Sequence, residues 1–345
     1  MLWFVGMGLA GAGSIPADAK NVIEQAEMVY LEGFTSIVTE SDERALEEMA
    51  GGKIIPARRW MVEDGKEILD NARTKKVVLV SYGDPYTATT HIELRTRAAE
   101  LNIPTGSIHA ASILASAVGE CGLHHYKMGR TATVTRDPRA ASTPYRIIYE
   151  NLVSGSHTVL LLEYDQDGGF FLDPGDALGL LIEYEKEQRR GVITDELFAV
   201  IASRIGMKGQ SIVAGRISSL KGYDFGAPPH AVIIPGGLHF TESEALSASA
   251  KCLDAPSDNS ERMPSIPQQM VKKYVPMVRD AMKTIEALED NPPEYGHVLE
   301  NAGHYLRDAE EFMGKGEGEL AVLSVGYADG LVDALRMARG IDRVQ

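Results

Sequence analysis

Three glycines follow the first apolar run of the chain: Gly6, Gly8 and Gly11 come after Leu2–Val5, and Glu32 closes the next apolar run. Glycines so spaced after a strand let the backbone approach a pyrophosphate, and an acid about 20 residues on suits a ribose hydroxyl. That chemistry belongs to a nicotinamide-dependent oxidoreductase. The pattern meets a physical objection, because its helix should open within the glycines so that the N-terminus faces the phosphate. Here Ala12 to Pro16 lengthen the loop, and Pro16 sets the helix start near Ile15. The alternative is a wide strand-to-helix turn.

Ser81-Tyr82-Gly83-Asp84-Pro85 closes the strongest apolar run, Val77–Gly83. A Gly-Asp-Pro turn there sits where open α/β sheets bind ligands. Gly83 allows close approach, Pro85 fixes the turn, and Asp84 can accept backbone N–H groups or attract a cation. A purely structural Asp-Pro turn is the competing reading. The nine histidines form no His-x-x-x-His pair. His124 and His125 are adjacent and point apart, and the one Glu-x-x-His, Glu294 to His297, has no companion. No metal site is expected. Cys121 and Cys252 read as buried thiols rather than nucleophiles, and two cysteines support no disulfide framework.

These residues need elements to hold them. Over the first 110 residues apolar runs alternate with helical patterns. Strands are expected at 2–5, 28–32, 53–56, 77–83 and 107–110. Helices are expected from a Ser14 cap to Ala26, at 41–51 with Ser41 as cap and Asp42 and Glu43 in the first turn, at 61–73, and at 91–102. This alternation implies a mostly parallel sheet with helices on its faces. From 111 to 254 strands are denser, at 131–135, 158–164, 199–203, 211–217 and 231–236, with helices at 144–155 and 177–191. A mixed sheet with antiparallel pairs follows. Residues 255–265 read as a linker. Beyond it, three apolar stripes at helical spacing, separated near 291–293 and 314–319, predict a three-helix module over 266–345. They run Met277, Val278, Met282, Ile285, Leu288; then Val298, Ala302, Tyr305, Leu306, Ala309, Phe312, Met313; then Leu323, Tyr327, Leu331, Leu335, Ala338.

The 345 residues bury a sizeable core, and a net charge of −15 argues against a nucleic-acid surface. No run of about 18 apolar residues implies a membrane span. The apolar N-terminus lacks a basic flank and is broken by glycines, so it reads as a strand and loop rather than a signal peptide. A reducing, cytoplasmic location is expected.

Several longer segments resemble the diphthine synthases, methyltransferases of diphthamide biosynthesis in the tetrapyrrole-methylase-like class of S-adenosylmethionine enzymes. They are FVGMGLAG, LEGFTS (31–36), GDPYTATTHIELRTRA (83–98), SIHAASILASAVGECGLHHYKMGRTATV (107–134), HTVLLLEYD (157–165) and FGAPPHAVIIPGGLHFTESEAL (225–246). The resemblance covers about residues 1–250 in order. Residues 260–345 resemble a helical module of unknown function fused to some archaeal members.

The resemblance implies two α/β domains with a cleft between them that binds bent S-adenosyl-L-methionine and releases S-adenosyl-L-homocysteine. It places cofactor contacts on Leu9, Asp84, Thr87, Ser112, Ile113, Leu162, Ile205 and His230. It implies methylation of the amino group of an aminocarboxypropyl-histidine on translation elongation factor 2, and a homodimer. The same fold carries tetrapyrrole methylases, the enzymatic alternative; a non-catalytic scaffold using the helical module is another. No general base is assigned; water or the substrate's own carboxylate suffices.

Overall fold

The computed structural model describes residues 1–52, 54–166, 168–288 and 292–341. Lys53, which opens the expected third strand, Asn291 in the expected helix break, and the module's residues 342–345 lie outside the described residues. The chain divides into two compact units: Met1–Leu180 with Glu196–Ser260, and Leu181–Asp195 with the chain from Glu261 onward.

The first unit begins with β1 (Leu2–Gly6), α1 (Ala17–Glu24), β2 (Met28–Glu32), α2 (Glu40–Met49) and β3 (Ile54–Ala57). Next come α3 (Arg59–Asp64), α4 (Lys66–Ala72), β4 (Val77–Ser81), α5 (His91–Glu100) and β5 (Thr105–Ile108). The five strands form one sheet in the order β3-β2-β4-β1-β5, every pair parallel. Alternation along the strands sends side chains to two cores. Leu2, Phe4, Val77 and Leu79 pack with Leu94 of α5 and Ile68 of α4. Val5, Val78 and Val80 pack with Ile23 of α1 and Leu46 of α2. Both faces are covered, as a parallel sheet requires. The chain leaves β1 toward β2 on one side and β4 toward β5 on the other. The order therefore reverses between the neighbours β1 and β4, and a crevice opens at their carboxyl ends.

Local chemistry moved several boundaries. Ser14 caps no helix: α1 opens at Ala17, and the Ser14 hydroxyl donates to the Met7 carbonyl (2.8 Å) inside the preceding loop. The cap of α2 is Thr39, not Ser41, because Thr39 and Asp42 form a reciprocal capping box. The helix expected over 61–73 is two, separated by Gly65 at φ +63°.

The chain continues with α6 (Ile113–Glu120), β6 (Ala132–Val134), α7 (Ser142–Val153), β7 (Thr158–Leu162), β8 (Tyr164–Asp165), β9 (Phe170–Phe171) and α8 (Pro174–Gln188). Then follow β10 (Phe198–Ser203), β11 (Ser211–Arg216), α9 (Ile217–Leu220), β12 (His230–Ile234), α10 (Phe240–Ser249) and β13 (Lys251–Cys252). The second sheet runs β13-β11-β10-β12-β7-β6. Its four inner strands are antiparallel and its edge pairs parallel. β8 and β9 form a separate hairpin. In the segment read as a linker, Asn259 is buried and pins the chain, its amide engaging Phe198 N and O and the Pro235 carbonyl.

The second unit carries α11 (Ile266–Glu286), α12 (Pro293–Gly314) and α13 (Gly318–Ala338). Ala302, Ala309, Ala321 and Ala328 are fully buried and let the helices approach closely. The apolar stripe of α13 keeps the expected Leu331 and Leu335 in its core but is rotated over its first turns: Ala321, Val325, Ala328 and Val332 face the core, while Leu323 and Tyr327 are exposed and Tyr327 stacks on Tyr305. Among the described residues no helix is long and apolar enough to cross a membrane.

Candidate active site

At the crevice two loops are stitched together. Gly8 N–H donates to the Gly83 carbonyl (3.1 Å) and Gly83 N–H donates back to the Gly8 carbonyl (2.9 Å), an antiparallel bridge between the loops that leave the parallel pair β1 and β4. Gly6 is required by this closeness, because a Cβ there would stand 2.5 Å from Gly83 O. Gly83 itself has φ +66°, and the space above it is open: among the described residues a Cβ there would meet only Ala111 O, at 3.9 Å. Asp42 of α2 braces both loops. It accepts from Ala12 N–H (2.9 Å) and from the Tyr82 hydroxyl (2.8 Å). Burial opposes its charge, but these bonds and those from Thr39 outweigh it and hold its carboxyl below the ordinary range. Burial, with Asp42 beside it, drives the Tyr82 phenol up.

Asp84 is spent on its own loop rather than held open for a cation. Oδ1 accepts from Tyr86 N–H (3.0 Å) and the Thr87 hydroxyl (3.3 Å), and Oδ2 accepts from His109 Nδ1 (2.7 Å). Burial pushes its pKa up, the Tyr86 and His109 bonds pull it further down, and it lies below the usual value. Glu32 is equally committed. It is buried and accepts from Phe34 N–H (2.8 Å), Thr35 N–H (2.7 Å) and the Thr35 hydroxyl (2.8 Å). Burial raises its pKa against those bonds. The dinucleotide reading therefore fails on both parts: the helix opens well past the glycines, and the ribose acid is consumed by its own loop.

The second sheet supplies the facing wall. Leu162 ends β7, Ile205 follows β10, and His230 opens β12 after Pro228 and Pro229. His230 Nδ1 lies 2.8 Å from the Ser203 hydroxyl; burial, then the Arg204 charge, lowers its pKa. Ser112 caps α6, accepting from Leu114 N–H, and brings Ile113 to the same space. All eight residues marked by the resemblance (Leu9, Asp84, Thr87, Ser112, Ile113, Leu162, Ile205 and His230) line one cavity holding about 1050 Å³ of empty space, part of it open to solvent. Sequence reasoning passed over others on the same wall. Thr35 and Ser36, Tyr82, Glu163 and Tyr164, and Phe171 also line it. All but Tyr82 and Phe171 lie inside segments that carry the resemblance, yet nothing in their spacing distinguishes them.

Parts of two of those segments meet away from the cavity lining. GLHHYK and GGLHFTESEAL meet at Glu242 of α10, which is fully buried. Its oxygens accept from His124 N–H (2.7 Å), His157 Nε2 (2.9 Å), Lys127 Nζ (2.5 Å) and His239 N–H (2.8 Å). His157 Nδ1 accepts from Gly236 N–H, which fixes a neutral ring donating through Nε2. Burial opposes the Glu242 charge, but Lys127 and the N–H donors bring its pKa down to about 2. Cys121 is a buried thiol whose pKa burial pushes up to about 12. Among the described residues no group of three or more His, Cys, Asp or Glu side chains is placed to hold a metal ion.

Comparison with known proteins gives a consistent result. Residues 1–221 match the family model of Tetrapyrrole (Corrin/Porphyrin) Methylases, and residues 273–341 match a protein of unknown function, DUF357. A diphthine synthase of Methanosarcina mazei is 37% identical over 270 residues, covering 76% of this chain and 100% of its own. One of Methanocaldococcus jannaschii is 36% identical over 251 residues, covering 71% and 97%. A crystal structure of a diphthine synthase superposes with a TM-score of 0.65 at 31% identity, covering 76% of this chain and 99% of that one.

Proposed function

The chain belongs to the tetrapyrrole (corrin/porphyrin) methylases and, within them, to the diphthine synthases, and on that premise we propose that it methylates the amino nitrogen of an aminocarboxypropyl-histidine on translation elongation factor 2, with S-adenosyl-L-methionine as donor. The observation that carries this reading is the convergence of Leu9, the Gly83-Asp84 turn, the α6 start and the second-sheet wall on one cavity. The lining suits a ligand held by backbone: Gly83 lines the cavity, its loop is tied to Gly8, and the space above Gly83 is open.

Leu9, Asp84, Thr87, Ser112, Ile113, Leu162, Ile205 and His230 hold the donor in this reading. When bound, that group supplies a methyl carbon on a cationic sulfur: the amine lone pair forms the N–C bond, the C–S bond breaks with its electrons left on sulfur, and one proton leaves the nitrogen for solvent. The residues of this chain contribute alignment and exclusion of water. Asp84 acts by fixing the turn that presents Gly83 and Thr87. Two such chains form a homodimer in this proposal.

The test is methyl transfer. The protein is incubated with labelled S-adenosylmethionine and elongation factor 2 bearing the unmethylated arm, and the factor is weighed intact. Gains in steps of one methyl support the reading and count the transfers. No gain with donor still bound removes the substrate assignment, and no donor binding removes the whole reading.

A further inference from the structure

The proposed donor set leaves part of the cavity wall unused, and the unused part is coherent. It includes Thr35 and Ser36 on one side and Glu163, Tyr164 and Phe171 on the other. The two sides face each other: a Cβ on Gly33 would stand 3.0 Å from the Gln166 amide nitrogen, beside the β8–β9 hairpin. Tyr164 and Phe171 are cross-strand partners, their rings stacked at 4.5 Å and 18°.

We propose that Glu163, Tyr164 and Phe171 form the subsite for the amino group of the substrate: a carboxylate counter-charge beside a wall of two aromatic rings. This rests on the methyl-transfer reading above. An aliphatic amine is a cation at neutral pH and needs a negative partner when it leaves water. The cavity wall offers two carboxylates. Both Asp84 oxygens accept hydrogen bonds, from Tyr86, Thr87 and His109, whereas among the described residues Glu163 Oε1 accepts none and has only the Arg136 Nε at 3.4 Å, so Glu163 is the one that can take a further N–H donor.

Glu163 is itself anchored. Its Oε2 accepts from Arg136 N–H (2.6 Å), and its Oε1 lies 3.4 Å from Arg136 Nε. The same guanidinium bonds Asp165 Oδ2 (2.9 Å). Arg136 thus bridges Glu163 and Asp165. The Tyr164 phenol lies among acids: burial first, then the charges of Glu32 and Asp165, raise its pKa. The rings serve the same ligand in a second way. An ammonium is attracted to an aromatic face, and each methyl added to the nitrogen increases the apolar surface the rings can cover.

The test uses the full chain with Glu163→Gln, Tyr164→Phe and Tyr164→Leu. Calorimetry measures S-adenosylmethionine affinity, and steady-state transfer to the arm-bearing elongation factor gives KM and kcat. The expected result for E163Q and Y164L is donor affinity within about two-fold of wild type and a KM for the factor raised about ten-fold or more. Y164F, which keeps the ring, should stay near wild type. The tyrosine pair reports on the ring independently should E163Q fold poorly. Unchanged KM in both E163Q and Y164L overturns the subsite, as does loss of donor affinity in step with KM, which would return these residues to the donor. A wild-type protein that transfers no methyl group fails the functional reading itself, and the inference falls with it.

Discussion

Glu242 offers a perturbation whose size can be worked out in two ways. Replacing it by Gln keeps the shape and removes the charge. Its four donors are His124 N–H, His157 Nε2, Lys127 Nζ and His239 N–H. A Gln side chain has one accepting oxygen, so its NH₂ must face two donors, either Lys127 Nζ with His239 N–H or, in the flipped amide, His124 N–H with His157 Nε2. Breaking one partner of a buried pair costs about 3–5 kcal/mol. The second route starts from titration. The ordinary glutamate value of 4.5 falls to about 2 here, and at roughly 1.4 kcal/mol per unit that is about 3 kcal/mol. Because the folded value is depressed, this stability is complete above the unfolded value and is lost as pH falls through the folded one. The assay is thermal and denaturant unfolding of wild type and E242Q from pH 7 to pH 3. At neutral pH the variant should melt about 10 °C lower, since 1 kcal/mol moves the midpoint of a unit this size by about 2–4 °C. The gap should be flat down to about pH 5.5 and should lose more than half its size by about pH 3. A gap below about 1 kcal/mol, or one independent of pH, would refute the claim that a charged Glu242 organises this hub.

Three further outcomes follow from the same geometry. Asp84→Ala should weaken S-adenosylmethionine binding about ten-fold by releasing the turn at Tyr86, Thr87 and His109; unchanged affinity by calorimetry would sink the assignment. Gly83→Ala should weaken it too, because a side chain at φ +66° is strained and its methyl enters the open space of the cavity; equal affinity and equal stability would contradict both points. Asn259→Ala should destabilise the first unit by about 2–4 kcal/mol, since it strips partners from Phe198 N–H, Phe198 O and Pro235 O in a buried place; a melting point within a degree or so of wild type would show the segment to be a linker after all.

What was legible in the sequence follows the range of the forces involved. Strands such as Val77–Ser81 are buried on both faces, so composition alone announces them. Cap positions depend on which of several candidate hydroxyls finds a backbone N–H. At α2 Thr39 took the role expected of Ser41 because Asp42 reciprocates, and before α1 the Ser14 hydroxyl went to the Met7 carbonyl instead. The rotated stripe of α13 has the same origin: Leu323 and Tyr327 are the larger apolar residues, but close helix packing selects Ala321 and Ala328.

The site divides along a similar line. Loop residues that act through backbone were marked because glycine and proline carry conformational meaning at sequence level. Asp84 was marked too, and of its two expected roles the structure shows acceptance of a backbone N–H, from Tyr86, while spacing does not reveal that His109 claims the other oxygen. Glu32 fell to the same cause, being claimed by Thr35. Carboxylates in this fold are therefore identified by who already holds them, not by where they stand. By that criterion Glu242 is structural although two segments of the resemblance meet on it, because every bond it makes is internal. Glu163, next to the assigned Leu162 but itself unassigned, lines the cavity beside two stacked rings and contacts a guanidinium that also bonds Asp165. GLHHYK thus helps to build the second domain, while in the proposed function the chemistry falls to residues whose types are commonplace and whose company is not.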